Sequence, residues 1–115
     1  PRYICTIPAE TIEKALTATG FAIGDMNLIE INEAFAAMPL VSTKILARGD
    51  AGRWDELKEK TNVNGGAIAL GHPVGSSAAR ITMTLALELK RRGGGYGVAA
   101  ICGGLAQGEA VILKV

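Results

Sequence analysis

The chain is organised around residues 62–75, NVNGGAIALGHPVG, which contain its only histidine, His72. The stretch opens with turn-forming Asn and Gly, continues as an apolar run, and ends in Gly-His-Pro ahead of a helical pattern. We therefore expect His72 at the positive end of a helix dipole, where a neutral imidazole is favoured. Such a ring can act as a base, an acid or a hydrogen-bond donor. A purely structural histidine is the alternative at this point.

The composition predicts one soluble, globular domain. The 115 residues are 49% hydrophobic and 20% charged, with a net charge of +1, so the chain can bury a core and has no general attraction for nucleic acid or membranes. No apolar run approaches the ~20 residues of a membrane span. The two cysteines, Cys5 and Cys102, are isolated from each other in sequence and form no metal-binding pair. We expect a reducing, cytoplasmic setting.

Hydrophobic periodicity predicts helices alternating with strands. Helices are expected at residues 9–19, from near Pro39 to 48, within 50–60, and at 76–92; strands are expected at 3–7, 28–31, 63 with 67–70, 98–102 and 110–115. This order predicts an α/β fold, with helices packed on a mixed, mostly parallel sheet. The short connection between the last two strands predicts a C-terminal antiparallel hairpin.

Three polar side chains, those of Asn32, His72 and Cys102, come just after predicted strands. Ligands bind at the carboxyl ends of strands in open α/β sheets, so these residues are expected to meet at one edge. Each also has a simpler interpretation: Asn32 could cap a helix, and Cys102 could be an inert core thiol. The amides of Gly103 and Gly104 could form an anion-binding nest beside Cys102.

These residues carry a resemblance to a known family. Asn32-Glu33-Ala34-Phe35, residues 62–73, and Cys102-Gly103-Gly104 followed by Gly108 resemble, in the family's order, the C-terminal domain of the thiolases. The resemblance runs from about Ala9 to Val115. The related ketoacyl synthases usually carry a second histidine where this chain has Cys102, so the thiolase branch is the better match.

The resemblance implies acyl transfer between coenzyme A thioesters, by Claisen condensation or by thiolysis of a 3-ketoacyl-CoA, as in fatty acid metabolism. His72 would activate a nucleophilic cysteine and help to hold the thioester oxygen, and Asn32 would position a water that completes that oxyanion site. Cys102 would move the proton of the carbon nucleophile, and the Gly104 amide would serve a second oxyanion hole. CoA thioesters are then substrates, and we expect no permanently bound cofactor and no metal.

The resemblance also implies that residues 1–115 form a partial thiolase, the C-terminal domain without the N-terminal half that carries the nucleophilic cysteine. Cys5 does not replace that cysteine. We expect no turnover by this chain alone, a partnership with the N-terminal half in cis or in trans, and a homo-oligomer. The family's first, central strand is also missing, and either residues 3–7 or a neighbouring chain could fill its place. The alternative function is a non-catalytic CoA-thioester-binding or assembly module that retains the fold.

Overall fold

The computed structural model describes residues 3–115 and contains a three-stranded mixed sheet in the order β1-β2-β3. The strands are β1 (Leu28–Ile31), β2 (Tyr96–Cys102) and β3 (Gly108–Lys114). β1 and β2 are parallel, with Leu28 opposite Gly97, whereas β2 and β3 are antiparallel. The predicted mixed sheet with its C-terminal hairpin is therefore confirmed, although it has fewer strands than the sequence suggested.

Among residues 3–115, four of the five helices lie where hydrophobic spacing predicts them, with shifts of a few residues at their ends, whereas the fourth takes the place of a predicted strand. They are α1 (Ile7–Thr19), α2 (Ala37–Leu46), α3 (Ala51–Glu59), α4 (Ala67–Leu70) and α5 (Ser77–Arg91), with 3-10 turns at Ile4–Thr6, Ile23–Asp25 and Gly104–Ala106. Pro39 falls in the first turn of α2, where a proline costs no helical hydrogen bond.

Helices cover both faces of the sheet, and alternate residues of β1 point to opposite faces. Ile29 and Ile31 pack towards α1, in a buried cluster with Ile12, whereas Leu28 packs with Leu85 on α5. In the described part of the chain, no helix is long and apolar enough to cross a membrane.

The outer edge of β1 is already paired. The Ile29 N–H donates to the Lys60 carbonyl at 2.9 Å, and the Asn62 N–H donates to the Ile29 carbonyl at 2.9 Å. The Asn62 side chain continues this pattern, since its Oδ1 accepts from the Ile31 N–H at 2.8 Å and its Nδ2 donates to the Ile31 carbonyl at 2.9 Å. One asparagine side chain thus takes the place of another strand residue.

The strand expected at residues 3–7 is wrong. Ile4–Thr6 forms a 3-10 turn that leads directly into α1 at Ile7. Pro8 occupies the first turn of α1, where its fixed φ favours the helix, so it helps to begin a helix rather than to end a strand. These residues therefore do not fill the place of the family's first strand.

The strand expected at 67–70 is also wrong, because Ala67–Leu70 is a single helical turn. Gly65 has a φ of 79°, a left-handed conformation that turns the chain away from the sheet. The Ile68 N–H donates to the Glu33 carboxylate at 3.0 Å, which holds the start of the turn. Because Asn62 already pairs with the outer edge of β1, residues 67–70 find no free strand edge there to bind.

Candidate active site

Asn32 lies immediately after β1 and is completely buried. Its N–H donates to the Ala100 carbonyl on β2 at 3.0 Å, and its side-chain Nδ2 lies 3.3 Å from His72 Nε2. The interpretation of Asn32 as a helix cap is wrong, because α2 begins at Ala37, five residues later. Asn32 Oδ1 is buried and has no hydrogen-bond partner among residues 3–115.

The hydrogen bonds of His72 favour one tautomer over the other. His72 Nδ1 lies 2.6 Å from Ser77 Oγ, and Ser77 Oγ lies 3.1 Å from the Pro73 carbonyl. A hydroxyl has one proton, so Ser77 donates to Pro73 and accepts from Nδ1–H. The other ring nitrogen, Nε2, then carries the lone pair and accepts from the Asn32 amide. His72 thus holds a basic nitrogen, and its contact with Asn32 is long enough to be readily displaced.

The loop that carries His72 is held by Glu33, the residue next to Asn32. The Glu33 carboxylate binds the first turn of α4 and lies directly over Gly66, where a Cβ would come within 2.5 Å of Glu33 Oε2. Gly71, which directly follows that turn, has a φ of 92°, a conformation that favours glycine. His72 therefore does not follow a strand, yet it reaches the same edge of the sheet as Asn32.

Cys102 is the last residue of β2 and is half-buried. Its Sγ lies 3.9 Å from Met38 Sδ on α2. Burial raises the pKa of the Cys102 thiol, and the nearby Cys5 adds to this effect. The side chain is therefore held as a thiol at neutral pH, in a form able to donate a proton.

An open cleft of about 400 Å³ brings these groups together. His72, Cys102 and Gly104 all line it, and Ile4, Val74 and Ile101 add apolar walls. The loop after Cys102 is tight, since Leu105 and Ala106 both have left-handed φ values of 58° and 60°. The Gly104 amide lies on this loop at the exposed rim. Three of the four predicted site residues thus face one cleft, with Asn32 buried behind His72.

Sequence reasoning missed two residues that hold the site. Ser77 fixes the His72 ring, and Met38 lies against the Cys102 thiol. Ser77 lies at the predicted start of α5, where a serine is ordinary as a helix cap, so nothing in the sequence indicated its bond to His72. No group of three or more metal-ligating side chains forms anywhere in residues 3–115.

The fold and the cleft together define an α/β domain that holds a histidine and a cysteine at one edge of its sheet. The model of the family described as "Thiolase, C-terminal domain" matches residues 1–115. The chain belongs to the thiolase family, as its C-terminal domain.

Curated and solved relatives agree with this assignment. A probable acetyl-CoA acetyltransferase of Mycolicibacterium smegmatis is 53% identical over 107 residues, which is 93% of this chain and 26% of the relative. A 3-ketoacyl-CoA thiolase of Aliivibrio salmonicida is 47% identical over the same share of each chain. The crystal structure of human mitochondrial 3-ketoacyl-CoA thiolase in complex with CoA matches with a TM-score of 0.84 and 47% identity, over 96% of this chain and 26% of that one. The chain thus spans about a quarter of the length of these relatives.

Proposed function

We propose that this chain is the C-terminal catalytic half of a thiolase that transfers acyl groups between CoA thioesters. The observation that carries the proposal is the meeting of His72 and Cys102 in one cleft, with Asn32 bound to His72 from behind. The substrate class is supported by a homologue whose structure holds CoA. In this proposal CoA thioesters are substrates, and no cofactor is permanently bound.

His72 is proposed as the base that activates a nucleophilic cysteine outside this chain. Ser77 holds the Nδ1 proton, so Nε2 is free to take the proton of an approaching thiol in place of the weak contact with Asn32. The thiolate then attacks the thioester carbonyl, and CoA leaves with a proton. Asn32 and a water that it binds would complete, with His72, the site for the thioester oxygen.

Cys102 is proposed to move the proton at the reacting carbon. In thiolysis its thiol donates a proton to the carbon of the leaving acetyl-CoA, and in condensation its thiolate removes that proton. Burial supports the first role directly, since the raised pKa keeps the thiol protonated. It supports the second because a thiolate with a raised pKa is the stronger base. The exposed Gly104 amide, across the same cleft, would stabilise the enolate oxygen.

The partner that we propose is the N-terminal half of a thiolase, in the same chain or as a separate one. An apolar groove of about 770 Å³ runs between α5 and β3, lined by residues such as Ile81, Ala86 and Val111. Met83, which also lines the groove, and Leu87 are 60% and 61% exposed on α5. A large exposed apolar surface of this kind favours burial against another domain. We also propose a homo-oligomer and a reducing, cytoplasmic setting, the latter supported by two free cysteines.

The test is reconstitution. This chain is mixed with a separately produced N-terminal half, and cleavage of acetoacetyl-CoA by CoA is followed. We expect no turnover from either part alone, turnover from the mixture, and a loss of ~10²-fold or more with His72→Asn, the size typical of a missing general base. Lys14→Gln, on the exposed face of α1, is the matched control and should leave the rate unchanged.

Two outcomes would count against the proposal. Full turnover by this chain alone would show that no partner is needed. A mixture that assembles and binds acetoacetyl-CoA without cleaving it would instead support the non-catalytic CoA-thioester-binding module.

A further inference from the structure

A buried carboxyl group lies beneath the candidate active site and has no part in the chemistry described so far. Glu30, on β1, is 3% exposed, and its Oε2 is buried without a hydrogen-bond partner in the described part of the chain. Strand alternation places Glu30 on the same face as Leu28 and Asn32, the face that α5 covers. A buried carboxyl of this kind is costly unless an opposite charge faces it.

That opposite charge is Arg80 on α5. Its Nη1 is also buried and has no partner among residues 3–115. Arg80 is close enough for its charge to lower the pKa of Glu30, although burial is the larger effect and raises it to about 7. The other charged group that acts on Glu30 is Glu33, which raises its pKa further. Glu30 on β1 and Arg80 on α5 thus act on each other through their charges, without an ion pair or hydrogen bond between them in the described part of the chain.

β1 and α5 also hold His72, at positions nearer to the candidate active site than Glu30 and Arg80. Asn32 follows Glu30 by two residues, ~6.6 Å along an extended chain. Ser77 precedes Arg80 by three residues, ~4.5 Å along a helix. His72 bridges these two positions, with Nε2 against Asn32 and Nδ1 against Ser77. A change in the spacing of β1 and α5 at Glu30 must therefore reach the His72 ring.

We propose that Glu30 is a positioning residue of the candidate active site. Acting with Arg80, it fixes the spacing of β1 and α5 and so keeps His72 as the Nδ1–H tautomer between Asn32 and Ser77. This inference builds on the catalytic role proposed for His72, but its test uses the imidazole ring itself. A failed reconstitution would therefore leave it standing.

The experiment measures the His72 tautomers by imidazole ¹⁵N chemical shifts, at a pH where the ring is neutral. His72 is the only histidine in the chain, so its signals need no assignment among several rings. Wild type should be mainly Nδ1–H. Glu30→Leu should lower the ratio of Nδ1–H to Nε2–H by roughly threefold or more, as expected for residues coupled through one packed interface. Glu30→Gln, which keeps the size and polarity of the buried side chain, should stay nearer to wild type.

The matched control is Glu88→Leu. Glu88 is also a buried carboxylate, 6% exposed, but it is paired with Arg91 and Arg92 at the far end of α5, and its further partner Asn64 lies eight residues before His72. This variant should lose stability and leave the tautomer ratio unchanged.

A second variant keeps the inference testable if Glu30→Leu does not fold. Arg80 is half-exposed, so Arg80→Met removes the opposite charge at less cost to the core, and it should shift the ratio in the same direction. An unchanged ratio in the folded variants would overturn the inference, because Glu30 would then contribute to stability alone. A wild-type ring that is mainly Nε2–H, or an equal shift in Glu88→Leu, would overturn it as well.

Discussion

Replacing Asn62 with alanine should destabilise the protein by ~3 kcal/mol. Its amide makes two hydrogen bonds, of 2.8 and 2.9 Å, with the backbone of Ile31. Losing both costs ~2 kcal/mol, at ~1 kcal/mol for each net hydrogen bond. Asn62 also has a φ of 52°, and a left-handed alanine adds ~1 kcal/mol.

A second substitution separates the two contributions. Asn62→Gly loses both hydrogen bonds but accepts the left-handed conformation, so it should cost about 1 kcal/mol less than Asn62→Ala. Urea denaturation followed by circular dichroism measures both values. The matched control is Asn27→Ala, which loses one exposed bond from the Tyr96 N–H to Asn27 Oδ1 at 2.8 Å and should cost only ~1 kcal/mol.

The reasoning would be refuted by two results. A loss below ~1 kcal/mol for Asn62→Ala would mean that water replaces the side chain at the edge of β1 without penalty. Equal losses for the alanine and glycine variants would mean that the left-handed conformation contributes nothing.

Three further predictions follow from buried or crowded groups. Burial raises the pKa of Glu30 to about 7, so the folded state keeps a proton that the unfolded chain releases. The free energy of unfolding should therefore fall by up to ~3 kcal/mol between pH 5 and pH 8. Glu30→Gln should lack this decline in urea titrations at both pH values. The raised pKa of Cys102 predicts that iodoacetamide alkylates it several-fold more slowly at pH 8 in the folded chain than in urea. Peptide mass spectrometry distinguishes alkylation of Cys102 from that of Cys5. Equal rates for Cys102 in the folded and unfolded chains would contradict the prediction. Gly66→Ala should cost ~1–3 kcal/mol because its Cβ displaces the Glu33 carboxylate, and the cost should largely disappear in a Glu33→Ala background.

Sequence periodicity predicted the elements that bury several side chains at regular spacing. The stripe of α5 that includes Ile81, Leu85 and Leu89 is buried as its spacing requires. The apolar run of β2 likewise forms a strand. These elements are long enough for the pattern to outweigh any single contact.

The two wrong strands were short, and a few particular residues, some nearby and one distant, decided their conformation. The run 67–70 is as apolar as a strand, but the Glu33 carboxylate and the left-handed Gly65 make it a helical turn. Residues 4–6 precede Pro8, which the sequence alone allows either to end a strand or to begin a helix. Local β propensity cannot express contacts between residues more than thirty positions apart.

The site was only partly predictable for a related reason. The rule that ligands bind at strand ends placed Asn32 and Cys102 at one edge from the sequence alone. The same rule placed His72 at this edge, although the strand predicted before it, at residues 67–70, is a helical turn. The bond from His72 to Ser77, and the burial of Glu30 below it, depend on how α5 crosses the sheet, and no short-range pattern records that crossing.

Two neighbouring residues, Asn32 and Glu33, hold His72 by separate routes. Asn32 contacts the ring directly, while Glu33 binds the turn of α4 from which the chain reaches the ring. Both residues follow Ile31, and the Asn62 side chain fixes the backbone of Ile31 through two hydrogen bonds. In the proposed reaction the basic nitrogen of His72 meets a thiol from another domain, and such a frame would favour this by fixing the position of the ring before the partner arrives. The Asn62 substitutions therefore test more than stability: any loosening of Ile31 that leaves the fold intact should also appear in the His72 tautomer ratio.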